Sequence, residues 1–264
     1  MILRRITQHV RDQNWTAIAI DFVIVVVGVF VGLQVSNWNA ARADARLGRV
    51  YTERLLVDLH QNRESRLVLV AYYDAVAASA ERTVALLAAP GDDRALVIHA
   101  YRATEWSGFR DVRATWDEIL FSGNVGLLPP TALASGLGVY FSYSDLSSAN
   151  LDRLKDTPYR QTVRGTIPHV LQRSIREHCS DVTDDIQVTV GFRSDCDFVV
   201  DDALVAETAR ALRSDATLVE DLRNQFSELG IGQGNLLGDI VLLDRVIAAL
   251  EGRDPEDTLD DRTP

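Results

Sequence analysis

Lysine is almost missing from this chain: Lys155 is the only one, and arginine supplies the rest of the 27 basic residues. We read that bias as compositional, not mechanistic. Positive charge is short overall. The 27 basic residues face 38 acidic ones, for a net charge of −11. Because Arg4, Arg5 and Arg11 precede the first apolar run, the acidic excess lies beyond it. Phosphate backbones need a basic footprint, so nucleic acid is excluded as a partner of that region. Cysteine is scarce too, with only Cys179 and Cys196. Neither C-x-x-C nor H-E-x-x-H occurs, so His169, His178, Cys179, Asp181, Cys196 and Asp197 are metal-ligand types without a spacing that fixes a metal geometry. No G-x-S-x-G elbow is present, and Ser122 before Gly123 reads as a helix end. Gly230, Gly232, Gly234 and Gly238 match neither a dinucleotide fingerprint nor a Walker loop, and are expected to admit a neighbouring helix or to break their own. No cofactor, metal or catalytic residue is expected, and the chain is read as a non-enzyme.

What is present is one long apolar run, Trp15 to Val35, WTAIAIDFVIVVVGVFVGLQV. At about 1.5 Å per residue, roughly 21 helical residues cover the ~30 Å hydrocarbon core of a bilayer. Asp21 costs about 2.5–3.5 kcal/mol near a helix centre, whereas each of roughly thirteen Ile, Val, Leu and Phe residues contributes about −0.3 to −0.6. The apolar sum prevails, and residues 15–35 are expected to span a lipid bilayer. Trp15 and Trp38 bracket the run at the depth where indoles settle. Gln34, Asn37 and Asn39 carry amides that can satisfy backbone as the helix leaves hydrocarbon, which makes Gln34 to Asn39 an anchoring collar.

Residues 1–14 form a basic N-terminal segment. They read either as an interfacial helix, with Ile2, Leu3, Ile6 and Val10 near one face, or as a frayed tail. Basic residues flank the run on both sides, with Arg42, Arg46 and Arg49 following it. The short basic head favours a signal-anchor with the N-terminus in the cytoplasm and the following domain in the periplasm of a bacterial inner membrane. Cleavage after the small-x-small triplet Ala41-Arg42-Ala43 is the competing reading, and the apolar run is longer than the ~7–15 residues usual for a signal peptide.

Asp21, Gly28 and the exit Leu33-Gln34-Val35-Ser36-Asn37-Trp38-Asn39 together resemble a family of bacterial single-span membrane proteins of unknown function. That family carries an acidic residue, a glycine-containing span and an L-Q-x-x-N-W-N membrane exit in this order. Further matches are Tyr51, Leu55, Asp58-Leu59 and Asn62, then Trp116, Leu120, Ser122-Gly123-Asn124, Leu127-Leu128, Leu133, Leu137 and Tyr140. The resemblance covers roughly the first 140 residues. Two positions depart from it: the intramembrane acid is Asp21 where glutamate is expected, and Ala40 stands where an acid is expected. The resemblance implies an anchor and a helical domain, and no activity.

From Ala40 to Ala89 there is no proline, and Leu55, Leu59, Leu69, Tyr73, Val76, Ala80 and Leu87 fall on three- and four-residue steps, which predicts one long amphipathic helix closed by Pro90-Gly91. Asn62 and Arg66 interrupt the stripe, as buried polar contacts or as a change of face. Asp92 or Asp93 is expected to cap a helix to about Glu105, and Thr115-x-x-Glu118 has the form of a capping box. Pro129-Pro130-Thr131 predicts a helix to about Asp156, and another is expected from Thr166 past Pro168 to about His178. Alternation at Ile186, Val188 and Val190 predicts a small hairpin or ordered loop. Asp201 or Asp202 opens a helix to about Arg213, and Ser214 or Asp215 is expected to cap the last. Its stripe runs through Leu218, Leu222, Phe226, Leu229, Leu236, Ile240, Leu243 and Ile247. The fold class expected is therefore mainly α: a transmembrane helix, then an extended antiparallel helical bundle over 36–251 with a small irregular or hairpin insertion, then an acidic, unstructured tail over 252–264.

Two functions from different classes follow. One is an envelope interaction, scaffold or sensor-like protein; the other is a membrane-tethered enzyme whose site is not visible in linear sequence. Asp21, Gly28 and Gly32 share one face of the span, and Gly28-x-x-x-Gly32 admits close backbone approach, so a homodimer or a partner's membrane helix is expected there. Cys179 and Cys196 are expected either to close a loop by a disulfide in an oxidising compartment or to stay as two buried thiols.

Overall fold

The computed structural model describes residues 15–89, 91–179, 181–183, 189–193, 196 and 199–255. The described elements are α1 (Trp15–Ala88), α2 (Asp93–Arg102), α3 (Ala114–Phe121), α4 (Pro130–Ala134), α5 (Leu137–Asp152), α6 (Pro158–Thr166), α7 (His169–Cys179), β1 (Asp181–Thr183), β2 (Thr189–Phe192), α8 (Asp202–Ser214) and α9 (Leu218–Leu250). Short 3-10 turns occupy Asn124–Leu127 and Arg153–Asp156. The chain is mainly helical, as its periodicity requires. It divides into two compact units, Met1–Tyr51 and Thr52–Pro264.

Among the described residues, the first unit consists of the leading part of α1. This stretch is long and apolar enough to cross a membrane, with a mean hydropathy of 2.3 over its most apolar window. Apolar side chains from Ile20 to Val35 are exposed on every side of the helix. A helix that is apolar all round belongs in an apolar surrounding, and it satisfies its own backbone there.

In the second unit, α1 buries Leu55, Leu59, Leu69, Tyr73, Val76 and Ala80, the residues spaced for one helical face. Helix α9 runs antiparallel to it. Arg63 Nε donates to Asp244 at 2.5 Å near one end of the pair, and Gln233 Nε2 donates to Asp74 at 2.7 Å further along. Leu222, Leu229, Leu236, Ile240 and Leu243 of α9 complete the core from the other side. Burying each such side chain is worth about 1.5–3 kcal/mol, which dwarfs any single surface ion pair.

The glycines of α9 divide by position. A Cβ on Gly232 would come within 2.8 Å of Leu151 Cδ2, and one on Gly238 within 2.7 Å of the Tyr143 hydroxyl. These two let α5 lie against α9, whereas Gly230 and Gly234 have no atom within 4 Å of an added Cβ.

Local signals succeed where the backbone has no tertiary rival. Asp92 caps α2 by accepting from the Ala95 amide at 2.9 Å, and Asp201 caps α8 by accepting from Ala203 at 2.9 Å. Elsewhere a tertiary contact displaces the local one. The Thr115/Glu118 capping box does not form: Asp58 of α1 accepts from the Thr115 amide at 3.4 Å, and Glu118 pairs with Arg54 at 2.7 Å. The helix expected from Pro130 is interrupted by Gly136 at φ +98° and resumes as α5. The helix expected from Thr166 past Pro168 begins only at His169, as α7, because the ring and missing N–H of Pro168 break the ladder, and α6 over Pro158–Thr166 is a helix that was not expected. Asp215 bonds the Thr217 amide at 2.9 Å, just ahead of α9, whose N-cap residue is Thr217.

The expected hairpin appears as an antiparallel β1–β2 pair with a register shift between Val182 and Thr183. Ile186 and Val188 lie outside the described residues, as do the tail from Glu256 and residues 1–14. Cys179 and Cys196 form a disulfide across the hairpin, with Cα atoms 4.6 Å apart.

Candidate functional site

Between α2 and α3 the chain leaves the helix, and Trp106, Gly108 and Phe109 carry no helical periodicity. Residues 103–113 form a strap fixed by side chains from α1, α5 and α6. Asn62 grips it reciprocally, donating from Nδ2 to the Val112 carbonyl at 3.0 Å while Oδ1 accepts from the Val112 amide at 2.7 Å. The Tyr73 hydroxyl donates to the Ser107 carbonyl at 2.7 Å, and burial pushes its pKa upward. Trp106 Nε1 donates to the Leu151 carbonyl at 2.8 Å. At the other end, Arg160 donates to the Thr104 carbonyl, and Arg164 Nε donates to Thr104 Oγ1 at 2.7 Å. Glu105 lies 3.3 Å from Arg164, and burial raises its carboxyl above the usual range against the pull of that guanidinium.

Beneath the strap lies a buried polar cluster. Arg66 is fully buried, and its Nε donates to Asp239 Oδ2 at 2.9 Å. Its Nη2 donates to Ser144 Oγ at 2.8 Å and also to Asp111. Tyr140 donates its hydroxyl to Asp111 at 3.0 Å, and Ser147 donates to Asp239 Oδ1 at 3.1 Å. Phe109 covers the guanidinium, with the ring centroid 3.2 Å from its central carbon. One guanidinium meets two carboxylates here, so a buried negative excess would remain if both were ionised. Burial raises the Asp239 carboxyl above its ordinary value by more than Arg66 lowers it.

Between the strap and α1 opens a cleft of about 760 Å³. Gln61, Glu64, Ser65 and Val68 of α1 form one wall, and Trp106, Phe109 and Arg110 of the strap form another. Ser148 and Asp152 of α5, with Lys155 just beyond, close the end. The single lysine of the chain lies 3.8 Å above the Trp106 ring and 2.7 Å from Asp152 Oδ1. Such a cleft offers aromatic faces, amide and hydroxyl groups and charges of both signs on walls that are already hydrogen-bonded in place, which is the make-up of a preformed binding site.

The residues singled out by sequence lie elsewhere. Asp21, Gly28, Gly32, Gln34, Asn37, Trp38 and Asn39 sit on α1 within the first unit, as does Trp15, whose side chain is not among those described. A Cβ added at Gly28 or Gly32 would meet nothing within 4 Å, and the Arg42 guanidinium stands 5.5 Å above the Trp38 ring. Of the metal-ligand types, Cys179 and Cys196 are joined to each other, and His178 Nδ1 bonds the Ser174 carbonyl of its own helix at 2.9 Å. Among the described residues no three such groups converge. Sequence reasoning missed the cleft. Its traces were Asn62 on an apolar stripe, and the glycine and aromatics of the strap.

Compared with known proteins, the chain matches no family model, no curated protein and no solved structure.

Proposed function

We propose that this chain is a single-pass protein of a bacterial inner membrane, with a cytoplasmic N-terminus and a periplasmic helical unit that binds a partner in the strap cleft without chemistry of its own. The observation that carries this reading is that both cleft walls are fixed from behind: Asn62, Tyr73 and Trp106 spend their polar atoms holding the strap, leaving Gln61, Glu64, Arg110 and Lys155 to face an incoming molecule. The apolar start of α1 supports the anchor. The Cys179–Cys196 bond fits an oxidising compartment and hence the periplasmic side. The likeness of the membrane exit to single-span bacterial proteins supports the same topology. Within the membrane, the face bearing Asp21, Gly28 and Gly32 is proposed to meet a second copy or another protein's helix, which gives Asp21 a polar neighbour away from lipid.

Lys155 supplies the test, because an amine reagent can modify the folded chain only there and at the N-terminus. Reductive methylation in native membranes, read by peptide mass spectrometry, is expected to modify Lys155 several-fold less than in purified protein. Equal modification in both would remove the cleft as an occupied site, and turnover of a bound small molecule would move the chain to the tethered-enzyme reading.

A further inference from the structure

We infer that the occupant of the strap cleft is an extended peptide segment of a partner protein, which pairs its backbone with the strap in the manner of a β-strand. This rests on the cleft being a binding site, as proposed above. From Glu105 to Arg113 the chain makes no turn or bend. Tyr73 holds this run at Ser107, and Asn62 holds it at Val112. Those two side chains lie about 16 Å apart along α1 at roughly 1.5 Å per residue, and the strap covers that distance from Ser107 to Val112 only if it is extended at about 3.3 Å per residue. Its side chains alternate as on a strand. Phe109 and Asp111 both meet Arg66 on the inner side, whereas a Cβ on Gly108 would come within 2.7 Å of the Trp106 ring, so those two residues are neighbours on the other side.

An extended segment carries a row of backbone donors and acceptors that a sheet would use. At both ends of the strap α1 uses them: the Tyr73 hydroxyl bonds the amide and the carbonyl of Ser107, and the Asn62 side chain does the same at Val112. Asn62 thus takes both backbone groups of one residue, as the facing residue of an antiparallel strand does. Between the two clamps, among the described residues, no protein group bonds the backbone of Gly108, Phe109 or Arg110. These three residues line the cleft. A peptide lying in it extends the pairing that Asn62 begins, which is recognition by strand addition.

The remaining groups of the cleft suit a peptide better than a flat ligand. Phe109 has one face on the Arg66 guanidinium and Trp106 has one under the Lys155 ammonium, so part of the aromatic surface is already spent. Lys155 is in turn answered by Asp152 at 2.7 Å. Glu64 on α1 and Arg110 on the strap form no ion pair among the described residues. A segment that brings a basic side chain to Glu64 and an acidic one to Arg110 completes both walls. The stretch between the clamps matches about five residues of such a segment.

Full-length protein in nanodiscs of phosphatidylethanolamine and phosphatidylglycerol is panned with a phage library of random dodecapeptides, and a hit is kept if the synthetic peptide shields Lys155 from reductive methylation. Each backbone amide of that peptide is then N-methylated in turn, with affinity read by fluorescence anisotropy. Hydrogen exchange of the strap is followed by mass spectrometry with and without the unmodified peptide. Methylation at every second position is expected to weaken binding tenfold or more while the positions between tolerate it, and exchange over residues 107–112 is expected to slow several-fold. A scan without that alternation, or unchanged exchange in the strap, overturns the strand pairing. If Lys155 is shielded in native membranes but no selected peptide shields it, the peptide is overturned and the cleft stands as a site for another class of ligand. If Lys155 is modified equally in native membranes and in purified protein, the cleft itself falls and the inference with it.

Discussion

Arg66 and Asp239, 173 residues apart in sequence, meet at 2.9 Å with both side chains fully buried. Their contact ties α1 to α9 at the level of the strap, and Asp111 on the same guanidinium extends the tie to the strap itself. A buried pair of this kind adds little net stability over a well-packed apolar pair, but losing one member leaves an uncompensated charge. Arg66→Met is therefore expected to destabilise the helical unit by about 3–5 kcal/mol in urea unfolding. Arg66→Met combined with Asp239→Leu should cost clearly less than the sum of the single changes. Strict additivity would show that the two groups do not act as a pair.

The same cluster gives an unusual pH dependence. The Asp239 carboxyl is raised by burial, so the folded chain binds that proton more tightly than the unfolded chain does. Its contribution is complete below the unfolded carboxylate value and is lost as pH rises through the higher folded value. The stability of the native chain relative to Asp239→Asn should therefore increase as pH is lowered towards the ordinary carboxylate range. A flat or opposite trend would place the Asp239 proton at or below the ordinary carboxylate range.

The glycines of α9 predict effects of opposite sign. Gly232→Ala pushes a methyl group against Leu151 and should destabilise by about 1–3 kcal/mol through overpacking. Gly230→Ala and Gly234→Ala are exposed helical positions with open space, and each should stabilise by about 0.5–1 kcal/mol. Thermal unfolding of the three variants separates the cases, and a stabilised Gly232→Ala would contradict the close approach of α5.

Opening the Cys179–Cys196 bond should cost about 3 kcal/mol by chain entropy, for a sequence separation of 17. The comparison is urea unfolding with and without reductant, with Cys179→Ser/Cys196→Ser as a control that should not respond to reductant. No difference between oxidised and reduced protein would mean that the loop is already constrained without the bond.

In the membrane, isoleucine at Gly28 and Gly32 should lower helix association in an in vivo transmembrane reporter several-fold, and Asp21→Ala should lower it separately. Undiminished signal in both variants would remove the proposed contact and leave Asp21 without a role.

Sequence by itself determined the apolar run, the helical class and most of the buried stripes, because each is written in a period of about 3.6 residues or in an uninterrupted apolar length. It also narrowed two caps to neighbouring pairs, Asp92 or Asp93 and Asp201 or Asp202, and the structure selects Asp92 and Asp201, whose side chains reach an amide three and two residues away. Only the tertiary structure decided the fate of Thr115, whose amide is taken by Asp58 from another helix, and the division of the stretch after Pro130 at Gly136. It alone decided the meaning of Asn62 and Arg66, two polar residues on an apolar face. Their partners Val112, Asp111 and Asp239 are 45 to 173 residues away. Periodicity records which face of a helix is buried; it carries no record of which distant group waits there.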